Sequence, residues 1–259
     1  MGGTSELPGD EAASRLRRAN SFGSEAAAYA EHRPDYARDA ILWALEPLAG
    51  VEGLEVVDLG AGTGKLTDGV AATGARVTAV EPDAGMRAEF ERRHPELPIL
   101  AGSAEHIPLP NDSVHAVVVG QAFHWFDQAA ALPEIARVLR PGGVLAAFWN
   151  VQDTTVEWVA ELHRLSRSTM LVAQSTGEFD SVHPLFEPFL RRDFPHVQRR
   201  TADSLAATIG THSHTLVAPP EERAEILERI TAYLRRRPET CLGEFDLPLR
   251  TMVIRSLVR

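Results

Sequence analysis

Apolar residues along this chain recur in two alternating rhythms. Between Glu55 and Trp149, short runs that are apolar at nearly every position give way to stretches with apolar residues at helical spacing, and then return. This predicts strands over Glu55–Leu59, Arg76–Val80, Ile99–Ala101, Val114–Val119 and Gly143–Trp149. Helices fall between them at Lys65–Thr73, Ala84–Arg93 and Ala129–Leu139, with another ahead of the series at Asp39–Leu48. The runs AVVVG (Ala116–Gly120) and VLAAFW (Val144–Trp149) show no polar alternation, as strands covered on both faces require. The segment LRPGG (Leu139–Gly143) reads as a helix stop followed by a turn. Such a series is an open parallel α/β sheet with helices on both faces, its crossovers right-handed. After Asn150 the rhythm changes to long helices, Thr155–Ala173 and Pro220–Arg237, and two strands, Arg192–Arg200 and Phe245–Val258. These are expected to add an antiparallel hairpin at the sheet edge, with the Thr155 helix over its mouth.

Composition narrows the classes. The chain has 259 residues, 44% hydrophobic and 24% charged, enough for one large domain with a real core. Lys and Arg number 26 against 36 Asp and Glu, a net charge of −10, which disfavours nucleic acid and anionic membrane as partners. The single cysteine, Cys241, allows neither an intrachain disulfide nor a cysteine-rich zinc site, so a reducing, cytoplasmic home is expected. Residues 1–19 lack the apolar core of a signal peptide and read as a flexible tail, and no run approaches the roughly 20 apolar residues of a membrane span.

The chemistry centres on VVDLGAGTGKLT, Val56–Thr67. A phosphate-binding P-loop needs glycine where Leu59 stands and a hydroxyl where Leu66 stands, which excludes it. A dinucleotide fingerprint needs its third glycine at Lys65, so NAD and FAD are disfavoured, while a turn of purely structural purpose stays open. Three neighbours favour a ligand. Asp58, at the strand end, would repel a pyrophosphate but accept hydrogen bonds from an amine. Glu81, 17 positions beyond Gly64, stands near the spacing at which an acid catches ribose hydroxyls. Ser103, Ala104 and Glu105 end a short strand where an adenine edge could be read. An adenosine with a cationic amino-acid tail satisfies all three.

With VTAVEPDAGM (Val77–Met86), AGSAEHIPLPNDSVHAVVVGQAFHWFD (Ala101–Asp127) and EIARVLRPGGVLAAFW (Glu134–Trp149), the glycine loop resembles, in the expected order, the class I S-adenosylmethionine-dependent methyltransferases. The resemblance is to their small-molecule group, the ubiquinone-type and trans-aconitate-type enzymes with a methyltransferase type 11 domain. FGSEAAAYAEHRPDY (Phe22–Tyr36) is similar to the segment that closes over the cofactor in that group. The resemblance implies a Rossmann-like, seven-stranded, mostly parallel sheet with the last two strands antiparallel. It implies one domain over residues 20–259: lid helices at 20–50, a cofactor-binding core at 51–150, a helical cover at 151–190, and 191–259 completing the sheet.

Carried over by position, Asp58, Gly60, Ala61, Gly62 and Gly64 would surround the methionine part of the cofactor, and Glu81 with Pro82 its ribose. Met86, Ser103, Ala104 and Glu105 would border the adenine, Ser103 standing where the group usually has aspartate. Gln121 would face the methionine carboxylate or the transferring methyl, and Tyr29 and Arg33 would be lid contacts. The implied reaction is an in-line displacement that needs alignment and exclusion of water more than a catalytic group. The acceptor is expected to be a small molecule methylated on a carboxylate or hydroxyl oxygen, with S-adenosylhomocysteine as the other product. A hydroxyl would need a base, for which His124 in QAFHWF is the candidate. Tyr36, Phe123, Trp125 and Trp149, with Phe126, would suit an apolar or ring-bearing acceptor. An Asn-Pro-Pro-Tyr type of tetrapeptide, which would point to base or glutamine amines, is absent after the fourth strand. His106, His115, the HSH turn at His212–His214, and the Arg191–Asp193 and Arg235–Glu239 charge runs read as ordinary surface features; no metal site is expected, and the protein would be a monomer or homodimer. An NAD(P)-dependent oxidoreductase on a similar sheet and a non-catalytic S-adenosylmethionine-binding protein remain alternatives.

Overall fold

The computed structural model describes residues 33–166, 183–210 and 219–259. The expected tail, Tyr29, the His212–His214 turn and the end of the Thr155 helix lie outside them. The strands in chain order are β1 (Glu55–Leu59), β2 (Arg76–Glu81), β3 (Ile99–Ala101), β4 (Val114–Gly120), β5 (Leu139–Gln152), β6 (Leu190–Arg200) and β7 (Phe245–Leu257). They form one sheet in the order β3-β2-β1-β4-β5-β7-β6, parallel from β3 to β5 and antiparallel across β5-β7-β6. This is the predicted Rossmann-like α/β sheet with its terminal hairpin. The strand order reverses between β1 and β4, and the carboxyl ends of those two parallel strands open a crevice where such sheets bind ligands.

Helices cover both faces: α1 (Arg38–Leu45), α2 (Lys65–Ala71), α3 (Ala84–Arg93), α4 (Gln128–Val138), α5 (Glu157–Ser166), α6 (Ala202–Gly210) and α7 (Pro220–Leu234). Alternation along β4 explains the two-sided burial. Val117 and Val119 pack with Leu132, Ile135 and Val138 of α4, whereas Ala116 and Val118 face Ile41 and Ala44 of α1 and Leu66 and Val70 of α2. Each valine, leucine or isoleucine among them, fully buried, contributes about 1.5–3 kcal/mol. A third cluster joins Trp158 and Leu162 of α5, Leu205 and Ile209 of α6 and Ile226 and Ile230 of α7 to Phe245, Leu247 and Leu249 of β7. Odd-numbered residues of β7 share one face, so this helical layer lies on the same side as α1, farther along the strand.

Three departures from the predicted elements have local causes. The helix expected over Asp39–Leu48 is α1 followed by one 3-10 turn, Glu46–Leu48, because Pro47 has no N–H to continue the α-helical ladder. The turn expected at Arg140–Gly143 is a bulge within β5: Val114 pairs with Leu139 and Ala116 with Val144, and the intervening residues bow out through Gly142 at φ +74°. Helix α6 was not expected. Thr201 and Ser204 cap it reciprocally, Ser204 Oγ accepting from Thr201 N at 2.9 Å and Thr201 Oγ1 from Ser204 N at 3.1 Å, and this T-x-x-S spacing is the signal that would have revealed it.

Candidate active site

The glycine loop leaves β1 and is clamped to β2, with Gly60 N and Ala61 N both donating to Val80 O, at 2.8 and 3.2 Å. Gly64 begins α2 at φ +91°, and a Cβ there would lie 2.5 Å from His94 Nε2, so glycine is required by both conformation and packing. Gly62 differs. At φ +57° it too is left-handed, but a Cβ on it would meet nothing within 4 Å among the described residues. Its Cα therefore floors open space at the carboxyl end of the sheet.

Glu81 ends β2 and is 7% exposed, with Oε2 accepting from Gly62 N and Oε1 from Asp83 N, each at 2.9 Å. Burial raises its pKa, and the two amide bonds oppose the rise. Each oxygen keeps a lone pair for a further donor. Asp83 caps α3 by accepting from Met86 N at 2.8 Å, and Arg87 Nη1 donates to Pro82 O at 2.7 Å, which holds the turn after Glu81. Met86 itself is 4% exposed.

Asp58, expected as an acceptor at the strand end, is not open to the mouth. It is fully buried beneath the loop, where Thr67 Oγ1 donates to its Oδ2 at 2.6 Å. Desolvation pushes its pKa up to about 7. Its Oδ1 and the buried Oγ1 of Thr63 have no hydrogen-bond partner among the described residues. Two orphaned polar atoms under one loop are a costly arrangement for stability alone.

On the adenine side, Ser103 and His106 exchange backbone bonds at 3.2 Å, Ala104 is buried, and Glu105 Oε1 accepts from Asp127 N at 3.0 Å. The Glu105 carboxylate thus anchors the start of α4. Gln121 follows β4 at φ +58°, strained for a residue with a Cβ. Its N donates to Phe148 O at 2.8 Å and its Nε2 to Asn150 O at 3.1 Å.

The aromatic residues divide. Trp149 Nε1 donates to His124 Nδ1 at 3.4 Å, and Trp125 packs 4.6 Å from the His124 ring, centroid to centroid. Tyr36 packs edge-on against Phe148, with its hydroxyl close over Gly120. Phe123 is 2% exposed and belongs to the core, which corrects its expected place on the acceptor surface: it supports Trp149 edge-on from beneath. His124 is the candidate base. Crowded walls lower its pKa to about 4, although its open edge works against the shift. With Nδ1 accepting the indole N–H, the neutral ring carries its proton on Nε2, a donor.

Arg33 opens a segment that crosses the mouth through Asp35 and Tyr36 to α1. Sequence reasoning missed what fastens it. Lys65 Nζ of the glycine loop reaches Asp35 Oδ1 at 2.9 Å, and Asn150 and Thr251 bind its backbone. These partners lie 30 to 214 positions apart, and only the Lys65 oddity in the loop hinted at them.

Residues 57–147 match the model of the family described as a methyltransferase domain. An uncharacterised methyltransferase of Mycobacterium tuberculosis is 36% identical over 240 residues, spanning 91% of this chain and 95% of its own length. A methyltransferase-like protein of Schizosaccharomyces pombe is 30% identical over 245 residues, spanning 91% and 94%. A solved structure described as a type II methyltransferase from Anaeromyxobacter dehalogenans is similar with a TM-score of 0.58 and 26% identity, over 88% of this chain and 97% of its own.

Proposed function

Because the chain belongs to the class I S-adenosylmethionine-dependent methyltransferases, we propose that it methylates a small molecule on oxygen, with a carboxylate as the favoured acceptor. The observation that carries the cofactor half of this reading is the open floor over Gly62 beside the buried Glu81 carboxylate. A ligand can approach that backbone closely, and Glu81 has lone pairs left for two hydroxyls. The residues fit S-adenosylmethionine in charge as well, since the Lys65 ammonium that opens α2 is engaged by Asp35 and not left for a pyrophosphate. When bound, the cofactor supplies a methyl on a positively charged sulfur that is already a good leaving group.

What remains for the chain is to bind, align and keep dry. Glu81 and Pro82 would hold the ribose side, and Met86, Ser103, Ala104 and Glu105 the adenine side. Gly60, Ala61, Gly62 and Gly64 would bring the loop close to the methionine part, with Asp58 and Thr63 supplying acceptors from beneath. Gln121, Arg33 and Tyr29 would meet its carboxylate end, and Tyr36, Trp125 and Trp149 would wall the acceptor.

His124 decides between acceptors. As a neutral ring with its proton on Nε2 and Nδ1 engaged by Trp149, it presents a donor to an acceptor oxygen and is a poor base for a hydroxyl. A carboxylate needs no base, and a single donor would orient it. In the wild type, activity toward a carboxylate acceptor is expected to show no limb near the ordinary imidazole value of 6.5, since the ring stays neutral well below it. H124A is expected to lower kcat/KM about tenfold, the order of one lost hydrogen bond, without altering the shape of the pH profile. A limb near pH 6–7 that H124A abolishes would instead make His124 a base and favour a hydroxyl acceptor.

The reading is tested by calorimetric titration with S-adenosylmethionine, S-adenosylhomocysteine and NAD, followed by transfer of labelled methyl to small carboxylic acids and phenols. Micromolar binding of the adenosyl ligands without NAD, and label on a carboxylic acid, is the expected result. NAD binding alone would return the oxidoreductase alternative, and tight adenosyl binding with no transfer to any acceptor would return the non-catalytic one.

A further inference from the structure

Four hydrogen bonds converge on two side chains that face each other across the last parallel strand and its antiparallel neighbour. Asn150 of β5 and Thr251 of β7 are cross-strand partners, and Thr251 Oγ1 donates to Asn150 Oδ1 at 2.7 Å. Thr251 is fully buried, and the same hydroxyl accepts from Ala37 N at 3.1 Å. Asn150 Nδ2 donates to Pro34 O and Asp35 O, at 3.2 and 3.1 Å. The main-chain oxygen of Asn150 accepts from Gln121 Nε2 at 3.1 Å. The side-chain pair thus holds the segment from Pro34 to Ala37, while the Asn150 main chain alone meets the strained residue after β4.

The position of the pair makes this economical. Thr251 lies between Val253, packed under α1, and Leu249, packed under the α5–α7 layer. The crossing segment enters the gap between those two clusters. An apolar pair there would leave the carbonyls of Pro34 and Asp35 and the Ala37 N–H without these partners, and buried polar groups are costly when unmet. The hydroxyl and the carboxamide satisfy them, and in doing so fix where Tyr36 passes over Gly120 and where Asp35 can meet Lys65 of the glycine loop.

We propose that Asn150 and Thr251 are positioning residues that fix the Pro34–Ala37 strap over the site, so that cofactor affinity depends on a hydroxyl and a carboxamide in the sheet beneath it. The inference rests on the methyltransferase reading of that site. Their effect runs through the strap above them. A purely structural role would cost stability and leave affinity alone.

The test uses the full chain, with S-adenosylhomocysteine as the probe. T251V removes the hydroxyl at nearly constant volume, and T251S restores it. N150D keeps an acceptor for Thr251 but turns the Pro34 and Asp35 carbonyls toward a carboxylate. Hydrogen exchange of the Tyr36–Ala37 region and calorimetric affinity are measured beside thermal unfolding. T251V and N150D are expected to speed exchange in the strap and to weaken S-adenosylhomocysteine about tenfold, with T251S close to wild type in both. A folded T251V that binds as wild type does, or whose strap exchange is unchanged, overturns the positioning role; if T251V does not fold, N150D gives the same decision. Failure of the wild type to bind S-adenosylhomocysteine is a distinct outcome that overturns the cofactor reading, and the proposal with it.

Discussion

Glu81→Ala is expected to weaken S-adenosylmethionine and S-adenosylhomocysteine by about 1.5–3 kcal/mol, or roughly ten- to 150-fold. Two losses add. The ribose hydroxyls lose a charged acceptor at a buried position, and the Gly62 and Asp83 amides lose the carboxylate that now holds both at 2.9 Å. The second loss loosens the loop whose floor is the cofactor site. Glu81→Gln is expected to be nearly as harmful, because its amide nitrogen must face one of those two N–H donors. Glu81→Asp, one methylene shorter, cannot span both. Titration calorimetry on variants shown to be folded measures the effect, and wild-type affinity in a folded Glu81→Ala protein removes Glu81 from the site. Because both amide bonds are internal, unfolding curves without ligand should also shift, and the ligand-dependent part is the loss in excess of that shift.

Periodicity made the parallel half of the sheet legible, since Ala116–Val119 and Val144–Phe148 are apolar on both faces, and only a strand covered by helices on each side can be. The terminal hairpin was legible for a weaker reason, two strand-like runs left over after the helices had been assigned. Glycine spacing located the mouth. It could not distinguish the glycine that packs against His94 from the one over open space, a distinction made by α3 and by nothing local to the loop. Asp58 illustrates a further limit: the sequence places it at a strand end, but the depth of that end depends on how the loop folds back over it through Gly60, Ala61 and Val80. Phe123 was misplaced for a like reason, because a 3-10 turn over Phe123–Trp125 directs Phe123 into the core under Trp149. The strap's fastening was not legible at all. Asn150 and Thr251 are unremarkable polar residues within apolar strands, and their roles arise only when strand pairing brings positions 101 apart in sequence face to face.

Asp58→Asn is expected to make the ligand-free protein more stable at pH 8 and less stable, by up to about 2 kcal/mol, at pH 4.5. In the folded chain the buried carboxyl holds its proton up to about 7, whereas the ordinary value is 3.8. Between those values the folded state binds more protons than the unfolded state, so the Asp58 contribution is whole below 3.8, declines as pH rises, and is gone above about 7. The full difference is on the order of 4 kcal/mol. Asparagine is neutral throughout and can still accept from Thr67, but it leaves an amide N–H unmet in the place of Oδ1, which costs about 1–3 kcal/mol. The net gain at pH 8 is therefore about 1–3 kcal/mol. Urea unfolding of both proteins at the two pH values isolates the group, because every other titration cancels in the difference between them. A stabilising substitution at the first acid of the glycine loop would mean that the native carboxylate is kept at the expense of the fold, as groups held ready for a ligand are. The same variant should then bind S-adenosylmethionine more weakly at pH 8, even though it unfolds later. Parallel pH profiles for the two proteins would mean that the carboxyl titrates at its ordinary value and that water reaches the underside of the loop, and the argument from its unpaired oxygen would fall with it.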